Sequence, residues 1–138
     1  MPSGKPSTRK KPAPSRKRRS NKENPVTDLN TLRGRLASGE HAFADTLAFV
    51  AANYQYQPQA FDNGGVKSAA GQNEGSCKTL GLALLEGLSD QEALLAFGEH
   101  YRSVLATPEG SDHANIRALM VHGLAGVTFE APPLTRNA

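Results

Sequence analysis

Cys77 is the residue in this chain whose type and neighbours most invite covalent chemistry. It stands in Ser76-Cys77-Lys78, after a stretch rich in glycine and amides and before an apolar run. Taking Ser76 as a helix N-cap puts Cys77 at the first helical position. There the helix dipole and Lys78 would both favour a thiolate. His113 would serve as the general base, with His100 as the alternative, and Asn115 would orient the imidazole. The competing expectation is a small apolar side chain packed beneath the glycine-rich stretch. The second reading is favoured, because no local protease or transferase signature accompanies the cysteine.

A second set of residues points to recognition. Asn63, Asn73, Ser76, Lys78, Asn115 and Arg117 gather around FDNGGVKSAAGQNEGSCK, residues 61–78. They read as one polar surface for an unknown protein or a small ligand such as a peptide, a sugar or an anion. The alternative is that the amides only satisfy loop backbone groups. GQNEGSCKT lacks the spacing of a nucleotide-binding P-loop, because only three residues separate its glycines and Lys78 falls too late. Amides at a helix start can still hold a small anion. His41, His100, His113 and His122 do not recur at metal-ligand spacing, so neither metal nor cofactor is expected.

The charge is unevenly spread. Residues 1–23 carry nine Lys or Arg against one acid, a net +8, while residues 24–138 carry seven against twelve, a net −5. The first segment has no Val, Ile, Leu, Phe or Tyr, so residues 1–25 are expected to be a disordered basic tail. Arg9, Lys10, Lys11, Arg16, Lys17, Arg18 and Arg19 would bind nucleic acid nonspecifically or another polyanion. Without aromatics to stack on bases, the tail is not expected to read sequence. No apolar stretch approaches the roughly 20 residues of a membrane span, and no apolar leader follows the basic residues. One cysteine excludes an internal disulfide and fits a reducing, cytoplasmic setting.

The elements that must position these residues are mostly helical. Asp28 or Thr27 starts a helix with Leu29, Leu32 and Leu36. A second helix carries Phe43, Leu47, Val50 and Tyr54, and a third runs over 77–86 with Leu80, Leu84 and Leu88 inward. Ser89 and Glu92 form a capping box for a fourth helix, which the pattern Leu94, Phe97, Tyr101 and Leu105 carries to about Ala106. A fifth helix holds Ile116, Leu119 and Met120. The expected fold is a mainly α, monomeric bundle of about five helices over residues 26–134. It would carry one long ordered Gly/Asn-rich loop and a short two-stranded patch pairing Val127 and Phe129 with residues 56–61.

The segments YQYQPQAFDNGG, AAGQNEGSCK and FGEHYRSVLATPEGSDHANIRALMVHG resemble the HopJ family of type III secreted effectors. The likeness spans most of residues 27–130. The chain departs from the family pattern at Ser68, where the family has Asn, and at Leu124, where it has Trp. The resemblance implies a small soluble, effector-like domain and assigns no reaction or catalytic residues; the expected role as a binding or interaction module comes from the concentration of Gly and amide residues in 61–78. The resemblance also implies export by a type III system, with which an acid-free, Ser-containing segment 1–22 is compatible.

Overall fold

The computed structural model describes residues 28–137, so the basic tail lies outside the described residues. The first helix, α1 (Leu29–Ala37), starts where the Asp28 carboxylate accepts the Asn30 amide, and it buries Leu32 and Leu36. α2 (Phe43–Asn53) runs straight into β1 (Tyr54–Tyr56). Thr46 and Phe49 are buried beside Val50 and Tyr54 of the expected row, while Phe43 and Leu47 of that row are half-buried.

The expected long loop is instead largely a β-hairpin. β2 (Phe61–Asn63) and β3 (Val66–Ser68) pair antiparallel, with Asn63 opposite Val66. Gly64 and Gly65 form the two-residue turn at φ 58° and 100°, the backbone that a tight hairpin of this hand demands. Ala69 to Asn73 then turns into α3 (Glu74–Glu86). Leu82 and Ala83 face the core beside Leu80, and Leu84 is exposed. Its C-cap is Gly87 in the left-handed region, where glycine carries no Cβ penalty.

The single helix expected after Ser89 is two. The capping box of Ser89 and Glu92 opens α4 (Asp90–Ala96), and α5 (Glu99–Ala106) follows the break at Phe97-Gly98. Gly98 sits at φ 60°, ψ −128°, outside any helix. A Cβ there would lie 2.5 Å from the Phe43 amide nitrogen and 2.7 Å from the His41 carbonyl oxygen. The start of α2 therefore presses against the chain at Gly98. Beyond the break, the Glu99 carboxylate accepts the Phe43 amide at 2.9 Å and so caps α2 from another helix.

The sixth helix, α6 (Ala114–His122), is followed by a 3-10 turn over Leu124–Gly126, then β4 (Val127–Phe129) and β5 (Leu134–Arg136). The expected two-stranded patch is two sheets. β4 adds to the hairpin in the order β3-β2-β4, with Phe61 opposite Phe129, and β1 pairs with β5. The described part is thus mainly α with six α-helices and two small antiparallel sheets.

Two clusters of buried side chains flank α3. Cys77, Leu80 and Ala83 join Leu94, Phe97, Tyr101, Ile116 and Leu119 on one side. Leu82 joins Leu32, Leu36, Phe49, Val50 and Leu134 on the other. Between α2 and α4 the Thr46 hydroxyl donates to the Ala96 carbonyl. Its oxygen then accepts from His41 Nε2 at 2.6 Å, which leaves His41 Nδ1 buried without a partner.

Candidate functional site

A cleft of about 410 Å³ opens where α3 and α6 begin. First-turn residues line it from both helices: Gly75 and Ser76 from α3, Ala114, Asn115 and Ile116 from α6. The residue before each helix, Asn73 and His113, also lines it. These are the two non-glycine residues with positive φ among the described residues, at 51° and 53°. Such backbone costs roughly 1–2 kcal/mol per residue and persists only where surrounding structure imposes it.

Neither N-cap side chain closes its own helix. Asn73 Nδ2 instead donates to Ser68 Oγ at 2.8 Å, tying the helix start to the hairpin. Among the described residues, the amides of Glu74, Gly75 and Ser76, and of Ala114 and Asn115, find no acceptor. Two helices of thirteen and nine residues therefore bring their positive ends to one hollow.

The remaining wall is aromatic. Phe97 stacks on Phe43 at 5.8 Å between centroids, Phe43 meets His100 edge-on at 5.0 Å, and His100 lies 5.1 Å from His113. Gly75 admits this arrangement, because a Cβ there would fall 2.8 Å from Phe43 Cζ. Each imidazole has a carboxylate beside it, Glu99 Oε2 at 4.0 Å from His100 Nε2 and Asp112 Oδ2 at 3.9 Å from His113 Nε2, and each carboxylate has a stronger partner through its other oxygen. Glu99 is held below the usual carboxylate range first by the Phe43 amide it caps, and Asp112 by the Arg117 guanidinium 2.7 Å away.

Of the residues expected from sequence, the structure gathers Asn73, Ser76, His113 and Asn115 in this cleft. Asn63 is fully buried behind it, donating through Nδ2 to the Asn115 carbonyl at 2.8 Å and to its Oδ1 at 3.1 Å. Lys78 lies outside the cleft lining, with its ammonium 4.7 Å from the centre of the Tyr56 ring. Arg117 braces its own turn, donating to the Asp112 carbonyl and to Thr107 Oγ1. The single polar surface expected from Asn63 to Arg117 is thus partly core and partly elsewhere.

Cys77 is likewise displaced from its expected setting. The N-cap is Asn73 rather than Ser76, so Cys77 is the fourth helical residue and its amide already bonds the Asn73 carbonyl. The residue is 1 % exposed, with Sγ 3.9 Å from the Gln59 carbonyl oxygen. Burial pushes its thiol up rather than down. It does not line the cleft that holds His100 and His113, so the sulfur and the proposed bases face different surroundings.

Sequence reasoning missed Phe43, Val66, Gly75, Phe97 and Ala114 as lining residues. Gly75 carries the one usable signal, a glycine two residues after Asn73 and directly before Ser76. Among the described residues no three His, Cys, Asp or Glu side chains cluster as a metal site, and no helix is long and apolar enough to cross a membrane.

Comparison with known proteins agrees with this architecture. No curated protein matches the chain. The crystal structure of the unknown function protein VPA0580 is similar, with a TM-score of 0.76 and 39% identity over 84% of this chain and 99% of that one. The model of the HopJ type III effector protein family matches residues 29–134, and the chain belongs to that family.

Proposed function

We propose that the folded part of this chain is a binding domain, with the cleft between the starts of α3 and α6 as its ligand site. The carrying observation is the convergence there of two uncapped helix starts, each entered through a left-handed non-glycine residue. A concave site with an apolar wall and a few polar groups aimed inward is how small ligands and peptide ends are held. Asn73, Ser76, His113 and Asn115 supply the polar groups, and Phe43 and Phe97 the apolar wall. Cys77 supports the floor as a packed side chain; a buried thiol with a raised pKa is poorly placed for nucleophilic work.

A thermal-shift screen of small metabolites and short peptides tests this reading. Ala114 is exposed at the cleft mouth, so Ala114→Trp should fill the cleft while leaving the fold intact. A ligand that stabilises the wild type should lose its effect on the variant. Ligands that stabilise both equally would place binding elsewhere.

The charge split of the sequence supports a second, separate role for residues 1–22. Their Lys and Arg residues, including Arg9, Lys10, Lys11, Arg16, Lys17, Arg18 and Arg19, would tether an acidic body to a polyanion. Deleting them should abolish binding to nonspecific DNA at low salt, and retained binding would contradict the tether. The family's name favours export through a type III system; a secretion reporter fused to residues 1–22 tests it, and retention inside the cell counts against it.

A further inference from the structure

The donors of the cleft point to one class of ligand group. Asn63 Nδ2 must face the Asn115 carbonyl, because a carbonyl oxygen can only accept. The same Nδ2 reaches Asn115 Oδ1, which fixes the Asn115 amide with its oxygen toward Asn63. Asn115 Nδ2 is thereby turned to the opposite side. Asn115 is 6 % exposed, it lines the cleft, and among the described residues its Nδ2 has no acceptor. The amide is held in this orientation by Asn63, so its donor end is free for an acceptor that enters the cleft.

The other groups at that point are donors too. Ala114, Asn115, Gly75 and Ser76, whose amides are free, all line the same hollow, and no Asp or Glu lines it; Glu99 and Asp112 lie 4.0 and 3.9 Å from the His100 and His113 imidazoles. We infer that the cleft binds its ligand through a compact oxyanion, a carboxylate or a phosphate, seated between Asn115 Nδ2 and the two helix starts. The imidazoles of His100 and His113 border the seat, and Phe43 and Phe97 take the apolar remainder of the ligand. This rests on the binding reading of the same cleft and narrows it to one chemistry.

The test is residue-resolved amide NMR on the full chain, titrated separately with inorganic phosphate and with acetate. Saturable shifts at Gly75, Ser76, Ala114 and Asn115, with the Asn115 side-chain NH₂ among them, are expected for at least one anion. Response to phosphate alone assigns a phosphorylated ligand, and response to acetate alone assigns a carboxylate. Asn115→Asp keeps the acceptor for Asn63 and replaces the free donor with a charge, so binding should weaken by about tenfold or more. Ser76→Asp places a carboxylate at the third residue of α3, where acids favour the helix. It should compete for the seat with the same loss, which covers the case of a poorly folded Asn115 variant.

Shifts confined to the Lys and Arg residues of the tail would overturn the inference. So would equal affinity in folded Asn115→Asp. A neutral fragment set run in parallel separates the two levels. Neutral compounds that move the cleft amides while both anions leave them still refute the oxyanion and preserve the binding site. Silence of those amides toward every probe removes both.

Discussion

Gly98→Ala tests the feature that builds the cleft wall, the break between α4 and α5. Gly98 has φ 60° and ψ −128°, and a Cβ there would meet the Phe43 amide nitrogen at 2.5 Å and the His41 carbonyl oxygen at 2.7 Å. Both obstacles are backbone, so no rotamer change relieves them. Positive φ costs an alanine about 1–3 kcal/mol. Forcing apart a close-packed contact costs about 1–3 kcal/mol more. The expected loss is about 2–6 kcal/mol, a large share of the roughly 5–15 kcal/mol that holds a domain of this size. Urea unfolding followed by far-UV circular dichroism measures it. Gly34→Ala is the control, since a Cβ on exposed Gly34 of α1 meets nothing within 4 Å. It should gain about 0.5–1 kcal/mol from helix propensity. A Gly98→Ala protein within about 1 kcal/mol of wild type would refute the claim that the approach of α2 forces the break.

Three further outcomes follow from buried groups. His41 has its pKa lowered by burial from 6.5, so the unfolded chain takes up a proton that the folded one resists. Stability is then full above about pH 6.5 and falls as pH drops below it, and His41→Gln should flatten that slope in pH-dependent urea midpoints. Glu86 is held low chiefly by Arg136, whose guanidinium donates to it at 2.8 Å, and it also accepts from the Tyr54 hydroxyl. Its contribution is present above its unfolded value of 4.5 and lost as pH falls through the lower folded one. Glu86→Gln should cost about 1–2 kcal/mol at pH 7 and shrink the loss on acidification. Cys77 should react with iodoacetamide at least about 100-fold faster in urea than in the native protein, because access to a buried thiol requires opening. Fast native reaction at neutral pH would restore the thiolate reading.

What the sequence showed well was local. Asp28 caps α1, and Ser89 and Glu92 form their box, because each signal depends on neighbours a few residues apart. The break at Gly98 was hidden, because Leu94, Phe97 and Tyr101 keep helical spacing across it and all three are buried. The phase slips afterwards, so Val104 is buried and Leu105 stands 51 % exposed. Only contact with a segment over 50 positions away stops the helix.

The site was half legible for the same reason. Asn73, Ser76, His113 and Asn115 were flagged as polar residues near helix starts, and they meet in the cleft. Asn63 sits in a turn-like string and reads as surface, yet β4 and α6 bury it. Gly75 looks like a loop residue, so sequence alone starts α3 at Cys77, three residues late, and gives Cys77 a dipole it does not face.

The proposed ligand site is the hollow between the starts of α3 and α6. The most direct measurement is an amide NMR screen of the full chain against a mixed set of small anions, neutral fragments and short peptides. The account predicts that the strongest binder shifts residues 73–76 and 113–116 together, and that Ala114→Trp removes the response. A binder that leaves those amides unmoved and maps instead to the apolar groove lined by Leu84, Pro133 and Leu134 would contradict it.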